Sequence, residues 1–266
     1  MRVLAIIFSI FCSPVVAHEF WIEPMAYQIG ADGKLRANLV NGEEFDGMHL
    51  AYLPQRFANF VIFNGQDSKR VDGRPGDIPA LDQAPIGDGL HIAAYQARRA
   101  TLRYDDWAKF QKFIDHKDLG DVLPVHRARG LPEERFTEVY SRYSKALFGV
   151  GDAGGSDRRV GLETELVALD NPYTDDLSAG FRVQLHYRDT FRSNEQIEVF
   201  ERAADGSVAV MLYRTDEQGI GTFPVKPGHD YMVDAVVLRE PPSEVAEATG
   251  AVWQTLWANL TFAVPE

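Results

Sequence analysis

Residues 181–187 have the sequence Phe-Arg-Val-Gln-Leu-His-Tyr, in which apolar and polar side chains alternate. The same period of two recurs in residues 197–200 and 208–213, and Asp205-Gly206 between them is typical of a tight β-hairpin. Pro227-Gly228 marks another turn before a further apolar run. Short alternating strands with tight turns predict an all-β sandwich for residues 156–266.

Turn signals divide the N-terminal region in the same way. Asn41-Gly42 follows the apolar run 35–40, Asn64-Gly65 follows the run 60–63, and Asp88-Gly89 precedes the run 90–95. Asn-Gly and Asp-Gly favour the left-handed backbone conformation that two-residue hairpin turns require. This spacing predicts a second β-sandwich over residues 18–100.

The region between the two sandwiches is predicted to be helical. Its longest apolar stripe at helical spacing consists of Phe136, Val139, Tyr140, Tyr143 and Leu147. Pro132 suits a first helical turn and Gly149 a helix end, and residues 105–114 predict a shorter helix. We therefore expect a mainly β fold of two β-sandwich domains, with the helical segment 101–155 completing the first and the glycine-rich stretch 149–156 marking the boundary.

The first 17 residues have the three parts of a cleavable signal peptide. Arg2 provides a positive start, residues 3–11 are apolar, and Val15-Val16-Ala17 is a small-residue cleavage site. The alternative, an anchor helix, is disfavoured because a span needs about 20 apolar residues. We expect a periplasmic protein that begins at His18 and is not inserted in the membrane. Cleavage would remove Cys12, the sole cysteine, and with it any disulfide or thiolate metal site.

The charge of the chain limits its partners. The formal net charge is −12, and it becomes −13 without residues 1–17, in which Arg2 is the only charged residue. Such a charge argues against nucleic acid and anionic membranes as partners, and it is compatible with attracting cations.

Cleavage after Ala17 would create a metal-binding group at His18. The new α-amine and the ring Nδ1 can close one chelate ring on a metal ion, and the amine has an ordinary pKa of about 7.7–8.0, so its proton is displaced easily. A second imidazole would complete a three-nitrogen site, which favours copper(II) or nickel(II). The alternative is that His18 is simply the first residue of a strand.

Further ligands would have to be assembled by folding, because no two histidines form a close His-x-His or His-x-x-x-His pair. His91 lies in a predicted strand, His126 in a polar loop before the predicted long helix, and His229 in a turn. A hydrogen-bonded structural role is the alternative for each of them.

No motif indicates catalysis. The chain lacks Gly-x-Ser-x-Gly, a phosphate-binding glycine loop and His-Glu-x-x-His, so we expect no enzymatic activity. A third hypothesis, a redox or hydrolytic metalloenzyme built on His18, has no acid/base motif to support it. The aromatic run 252–262 predicts a final core strand, and a sugar-binding aromatic platform is its alternative.

Several segments together resemble domain-of-unknown-function family 4198, which includes periplasmic accessory components of nickel/cobalt uptake systems. The segments that carry the resemblance are 18–24, 41–45, 89–91, 126–132, 142–147, 161–163, 227–231 and 252–257. The resemblance implies export, β-sandwich domains and transition-metal handling. Residues 215–219 and 223–231 also look like part of a transthyretin-like or carboxypeptidase-regulatory-like sandwich.

These observations lead to one functional hypothesis and one alternative. The first is a periplasmic accessory protein that binds nickel or cobalt, with copper as a further option, and passes the ion to a membrane transporter. Its expected ligands are His18 first, His229 and His91 as partners, and His126 next. The alternative is a metal-free binding or scaffold module of the cell envelope.

Overall fold

A computed structural model describes residues 18–266, so the predicted signal peptide lies outside the described residues. The strands are β1 (Glu19–Pro24), β2 (Gln28–Ile29), β3 (Leu35–Glu43), β4 (Asp46–Leu50), β5 (Phe57–Asn64), β6 (Asp67–Arg70), β7 (Leu81–Gln83), β8 (Gly89–Ala97), β9 (Ala100–Asp106), β10 (Glu134–Val150), β11 (Thr164–Ala168), β12 (Phe181–Tyr187), β13 (Thr190–Phe191), β14 (Gln196–Arg202), β15 (Val208–Arg214), β16 (Ile220–Phe223), β17 (Asp230–Arg239) and β18 (Ala251–Ala263). The helices are α1 (Trp107–His116), α2 (Leu123–Ala128) and α3 (Ser243–Thr249). The mainly β prediction is confirmed.

The strands form three sheets. A ten-stranded central sheet has the order β15-β14-β17-β18-β10-β8-β5-β6, with β2 and β9 also paired to β10. One outer sheet contains β1, β3, β4 and β7, and the other contains β11, β12, β13 and β16. The N-terminal and C-terminal regions therefore each supply one outer sheet, and both contribute strands to the central one.

Strand alternation gives the central sheet two buried faces. The first face carries Ala146 and Phe148, which pack with the outer sheet that contains β1 and β3. The second face carries Leu147, which packs with the outer sheet that contains β11 and β12. Both faces of β10 are thus covered, and the last eight residues of this strand are all buried.

The predicted long helix over 132–149 is wrong, because this segment is the 17-residue strand β10. It pairs in parallel with β18 and antiparallel with β8 and β9. A strand that is buried on both faces has apolar residues at nearly every position, so positions that suit a helix are filled as well. The aromatic and β-branched residues Val139, Tyr140 and Tyr143 are those that favour strands.

The short helix predicted over 105–114 is confirmed as α1. Asp106 caps it by accepting a hydrogen bond from the backbone N–H of Lys109, at 3.0 Å. The apolar side of α1 packs on the first face of the central sheet, against Trp253 and Trp257. Both tryptophans are buried in the final strand β18, as predicted, and therefore offer no sugar-binding platform.

The predicted hairpins are confirmed at two positions and wrong at one. Asn64-Gly65 joins β5 to β6, and Asp205-Gly206 lies between β14 and β15. Asn41-Gly42 instead continues β3, and the chain turns at Glu44 and Phe45, which both have positive φ. Within residues 18–266, no helix has the length and apolar character needed to cross a membrane.

Candidate functional site

His18 lies immediately before β1, on the surface. Its side chain is about half exposed, and its Nε2 lies 3.9 Å from Glu43 Oε1. Its backbone carbonyl accepts a hydrogen bond from Arg142 Nη2 at 2.8 Å, and Arg142 Nη1 donates to Asn41 Oδ1, also at 2.8 Å. The imidazole is therefore accessible while the backbone of the residue is held in place.

An open depression of about 950 Å³ surrounds this imidazole. Its lining includes three carboxylate residues, Glu43 at the end of β3, Glu44 in the turn and Asp46 at the start of β4, and it also includes Met48. Gly42 permits the close approach of β3 to β4 beside this depression, since a Cβ at this position would collide with the backbone of β4. The local excess of carboxylates favours cations.

The strand that follows His18, β1, is fixed by hydrogen bonds to the central sheet. Ser144 Oγ donates to the carbonyl of Phe20 at 2.8 Å, and Thr261 Oγ1 donates to that of Ile22 at 2.6 Å. Trp21 in the same strand is fully buried. A ligand at His18 would therefore meet a preorganised backbone, which lowers the entropic cost of binding.

Directly after His18, Glu19 enters a buried charged cluster. Glu19, Glu198 and Asp234 form the one group of three or more His, Cys, Asp or Glu side chains in residues 18–266 whose ligand atoms lie within 4.8 Å of one another. The ammonium of Lys117 stands among them, 3.2 Å from Glu19 and from Asp234 and in a short contact with Glu198. Lys117 therefore supplies the cation that these carboxylates require, and we assign the cluster a structural role.

The environment shifts the pKa values in this cluster in opposite directions. Burial raises the pKa of Glu19 to about 7, although Lys117 opposes the shift. Burial alone would also raise the pKa of Glu198, but hydrogen bonds from His116 and Lys117 hold it below its usual range. The side chain of His116 is about half exposed, with its Nε2 3.0 Å from Glu198, and its pKa is raised by that contact.

His91 and His126 use both ring nitrogens in hydrogen bonds. His91 Nε2 accepts from the N–H of Ile86, and Nδ1 donates to the carbonyl of Gly89, both at 3.0 Å. His126 lies in α2 rather than in a loop, where Nδ1 accepts from Trp253 Nε1 and Nε2 donates to the carbonyl of Pro132. Burial lowers the pKa of both rings.

His229 lies towards the other end of β1. It precedes Asp230, which pairs with Arg202, and Arg202 in turn pairs with Glu23. Glu23 lies four residues beyond Glu19, about 13 Å along an extended strand. The structure therefore does not gather His18, His91, His126 and His229 into one group, and their roles as ligands stay predictions.

Sequence reasoning did not single out Arg142 or Lys117. Both act on residues about 100 positions away, so no local spacing indicates them. The nearest signal was compositional, because Arg142 and Lys145 are the only charged residues in the segment 139–150.

Comparison with known proteins identifies the family. A family model described as "Domain of unknown function (DUF4198)" matches residues 15–239. The chain belongs to this family. No curated protein matches the chain significantly. A structure titled "Crystal structure of tetra-tandem repeat in extending region of large adhesion protein" aligns with 92% of this DUF4198 chain at 12% identity and a TM-score of 0.20. The chain spans about half, 49%, of that structure's length.

Proposed function

We propose that this DUF4198 protein is a periplasmic accessory protein that binds a nickel or cobalt ion, or copper, at its mature N-terminus. The observation that carries the proposal is the position of His18, whose imidazole is accessible at a carboxylate-lined depression while its carbonyl is held by Arg142. Cleavage after Ala17 would convert the peptide nitrogen of His18 into an amine next to that imidazole.

The donor set follows from these neighbours. The amine and the ring Nδ1 of His18 form the chelate ring, and the carboxylate of Glu43, whose Oε1 lies 3.9 Å from the Nε2 of the same ring, is the further donor that we propose. Nitrogen and oxygen donors of this kind suit divalent nickel and cobalt. The Met48 thioether at the depression adds a soft donor, which favours copper(I). Glu43 is added to His18 in this proposal, and the roles of His229, His91 and His126 as further ligands stay predictions.

The metal ion is cargo in this proposal. A site at the surface with few protein donors can release its ion to another protein, and a membrane transporter component is the expected recipient. A transporter permease encoded next to this protein would support that role.

The decisive test compares two N-termini. We expect calorimetric titration of protein beginning at His18 with Ni²⁺, Co²⁺ and Cu²⁺ to show one site, and the same protein with its N-terminal amine acetylated to bind at least about tenfold more weakly, because the chelate ring is lost. Glu43→Gln should weaken binding, whereas Glu217→Gln, at an exposed position away from the depression, should not. Equal affinity for the two N-termini would reject the site.

A second candidate is a metal-free binding or scaffold module. It is favoured by β15, the outermost strand of the central sheet, which exposes Val210 and Leu212 at 41% and 58%. Apolar side chains on an edge strand are typical of surfaces that pair with another chain. Absence of any metal binding by the cleaved protein would make this candidate the better one.

A further inference from the structure

An arginine-lined cleft lies on the second face of the central sheet, on the opposite side from β1. It has a volume of about 470 Å³ and is bordered by Tyr143, which points to the same face of β10 as Lys145. Arg98, Arg99 and Arg239 line it, together with one carboxylate, that of Glu163. The cleft is therefore cationic in a protein whose net charge is −12.

The one carboxylate in the cleft is already neutralised. Arg239 Nη1 lies 2.6 Å from Glu163 Oε1, and Arg188 Nη2 lies 3.1 Å from the same atom. Burial alone would raise the pKa of Glu163, but these two guanidinium groups hold it below its usual range. The negative charge of Glu163 is therefore already balanced, and it does not neutralise Arg98 or Arg99.

Arg98 and Arg99 form the turn between β8 and β9 and have no acidic partner. Within residues 18–266, neither guanidinium takes part in an ion pair or a side-chain hydrogen bond. The turn itself is held, because the backbone N–H of Arg98 donates to the carbonyl of Arg56 at 2.9 Å. Two free guanidinium groups on a fixed turn present up to ten N–H donors, since each carries five.

Two glutamines add donors of the same kind. Gln254 accepts from Arg239 Nε through its Oε1, at 3.0 Å, and Gln96 accepts from Asn59 Nδ2 through its Oε1, at 2.9 Å. Since both amide oxygens are occupied, the NH₂ groups are the parts left for a ligand. The cleft is thus rich in donors and poor in acceptors.

We propose that this cleft binds a small organic anion with at least two carboxylate groups. Guanidinium groups match carboxylate oxygens through paired, charge-assisted hydrogen bonds. A volume above about 300 Å³ is typical of sites for organic ligands rather than for single inorganic ions. The proposal does not depend on metal binding at His18, which lies on the other side of the central sheet.

The test is calorimetric titration of metal-free protein with citrate, and separately with inorganic phosphate, at about 0.15 M NaCl. We expect citrate to bind and the R98Q/R99Q double variant to lose about tenfold or more in affinity. Both positions are exposed, so this variant should fold. The double variant R70Q/R74Q removes the same charge outside the cleft and should bind citrate as the wild type does. His18→Ala should also bind citrate normally, which separates this site from the metal proposal.

Two results would overturn the inference. Citrate binding that is absent in the millimolar range, or equal in the wild type and in R98Q/R99Q, would exclude the site. Phosphate binding that is tighter than citrate binding would reject the polycarboxylate class.

Discussion

The two faces of the central sheet each contain a buried lysine, and the two are satisfied differently. On the first face, Lys117 contacts the three carboxylates of Glu19, Glu198 and Asp234. On the second face, Lys145 contacts two carboxylates and two backbone carbonyls, those of Arg158 and Leu166. The hydrogen-bond partners of Lys117 are thus all titratable, whereas half of those of Lys145 are not. Lys117 also lies over the ring of Trp257, 4.9 Å from its centroid.

The carboxylates around Lys145 also receive backbone donors. Asp157 accepts from the N–H groups of Arg158 and Ala168, and Glu165 accepts from those of Val160 and Leu162. Burial raises the pKa of Asp157, and in the cluster around Lys117 it raises the pKa of Glu19 to about 7 and also raises that of Asp234. The Lys145 cluster therefore keeps two uncharged backbone partners at every pH, whereas the hydrogen-bond partners of Lys117 are all carboxylates. One of these carboxylates, that of Glu19, changes charge near neutral pH beside His18.

The largest expected effect on stability follows removal of the ammonium of Lys117 or of Lys145. Lys145→Met should lower the free energy of unfolding by about 3–5 kcal/mol at both pH 5.5 and pH 7.5, because buried carbonyls lose their donor at any pH. Lys117→Met should have a similar cost at pH 7.5 but a smaller one at pH 5.5, where its carboxylates can take up protons. Urea denaturation at the two pH values measures the difference.

Lys112→Met is the matched control for both lysines, since Lys112 is exposed on α1 and should change stability by less than about 0.5 kcal/mol. If the cost of Lys117→Met were the same at both pH values, the distinction between the two clusters would fail.

A smaller effect is expected from Glu19→Gln. The raised pKa of Glu19 means that the folded state holds its proton more tightly than the unfolded state does, so stability falls as pH rises from about 4.5 to about 7. An amide cannot ionise, so the variant should lose this slope and exceed the wild type in stability at pH 8. Denaturation profiles from pH 5 to pH 8 test this.

Glu198→Gln is the companion variant, and its expected effect on stability at pH 8 has the opposite sign. Because His116 and Lys117 lower the pKa of Glu198, its charge stabilises the folded state above its usual pKa, and the variant should be less stable than the wild type at pH 8. Loss of stability in both variants at pH 8 would contradict the assigned pKa direction of Glu19.

These clusters also mark where sequence reasoning succeeded and where it could not reach. The period of two in residues 181–187 and the Asn64-Gly65 turn are local signals. The first was sufficient to predict a strand and the second to predict a hairpin. In β10 the apolar periodicity wrongly predicted a helix, because a strand buried on both faces also has apolar residues at helical spacing. Lys117 meets residues 19, 198 and 234, which are far apart in the chain, so only the fold could bring its partners together. The sequence correctly placed His91 in a strand and His229 in a turn, and wrongly placed His126 in a loop. Whether the predicted histidines come together depends on tertiary structure, as it does for Lys117.

The smallest expected effect on stability follows loss of the hydrogen bond from Ser144 to Phe20, which anchors β1 to the first face of the central sheet. Ser144→Ala removes the hydroxyl that donates to the buried carbonyl of Phe20, so stability should fall by about 1 kcal/mol. Amide hydrogen exchange should accelerate in residues 19–22 more than in β8 or β11, because the anchor acts locally on β1. Ser68→Ala on the exposed strand β6 should change neither quantity. Uniform acceleration across the sheets would mean that Ser144 stabilises the whole fold, and β1 would then not be the separately held strand on which the proposed site at His18 relies.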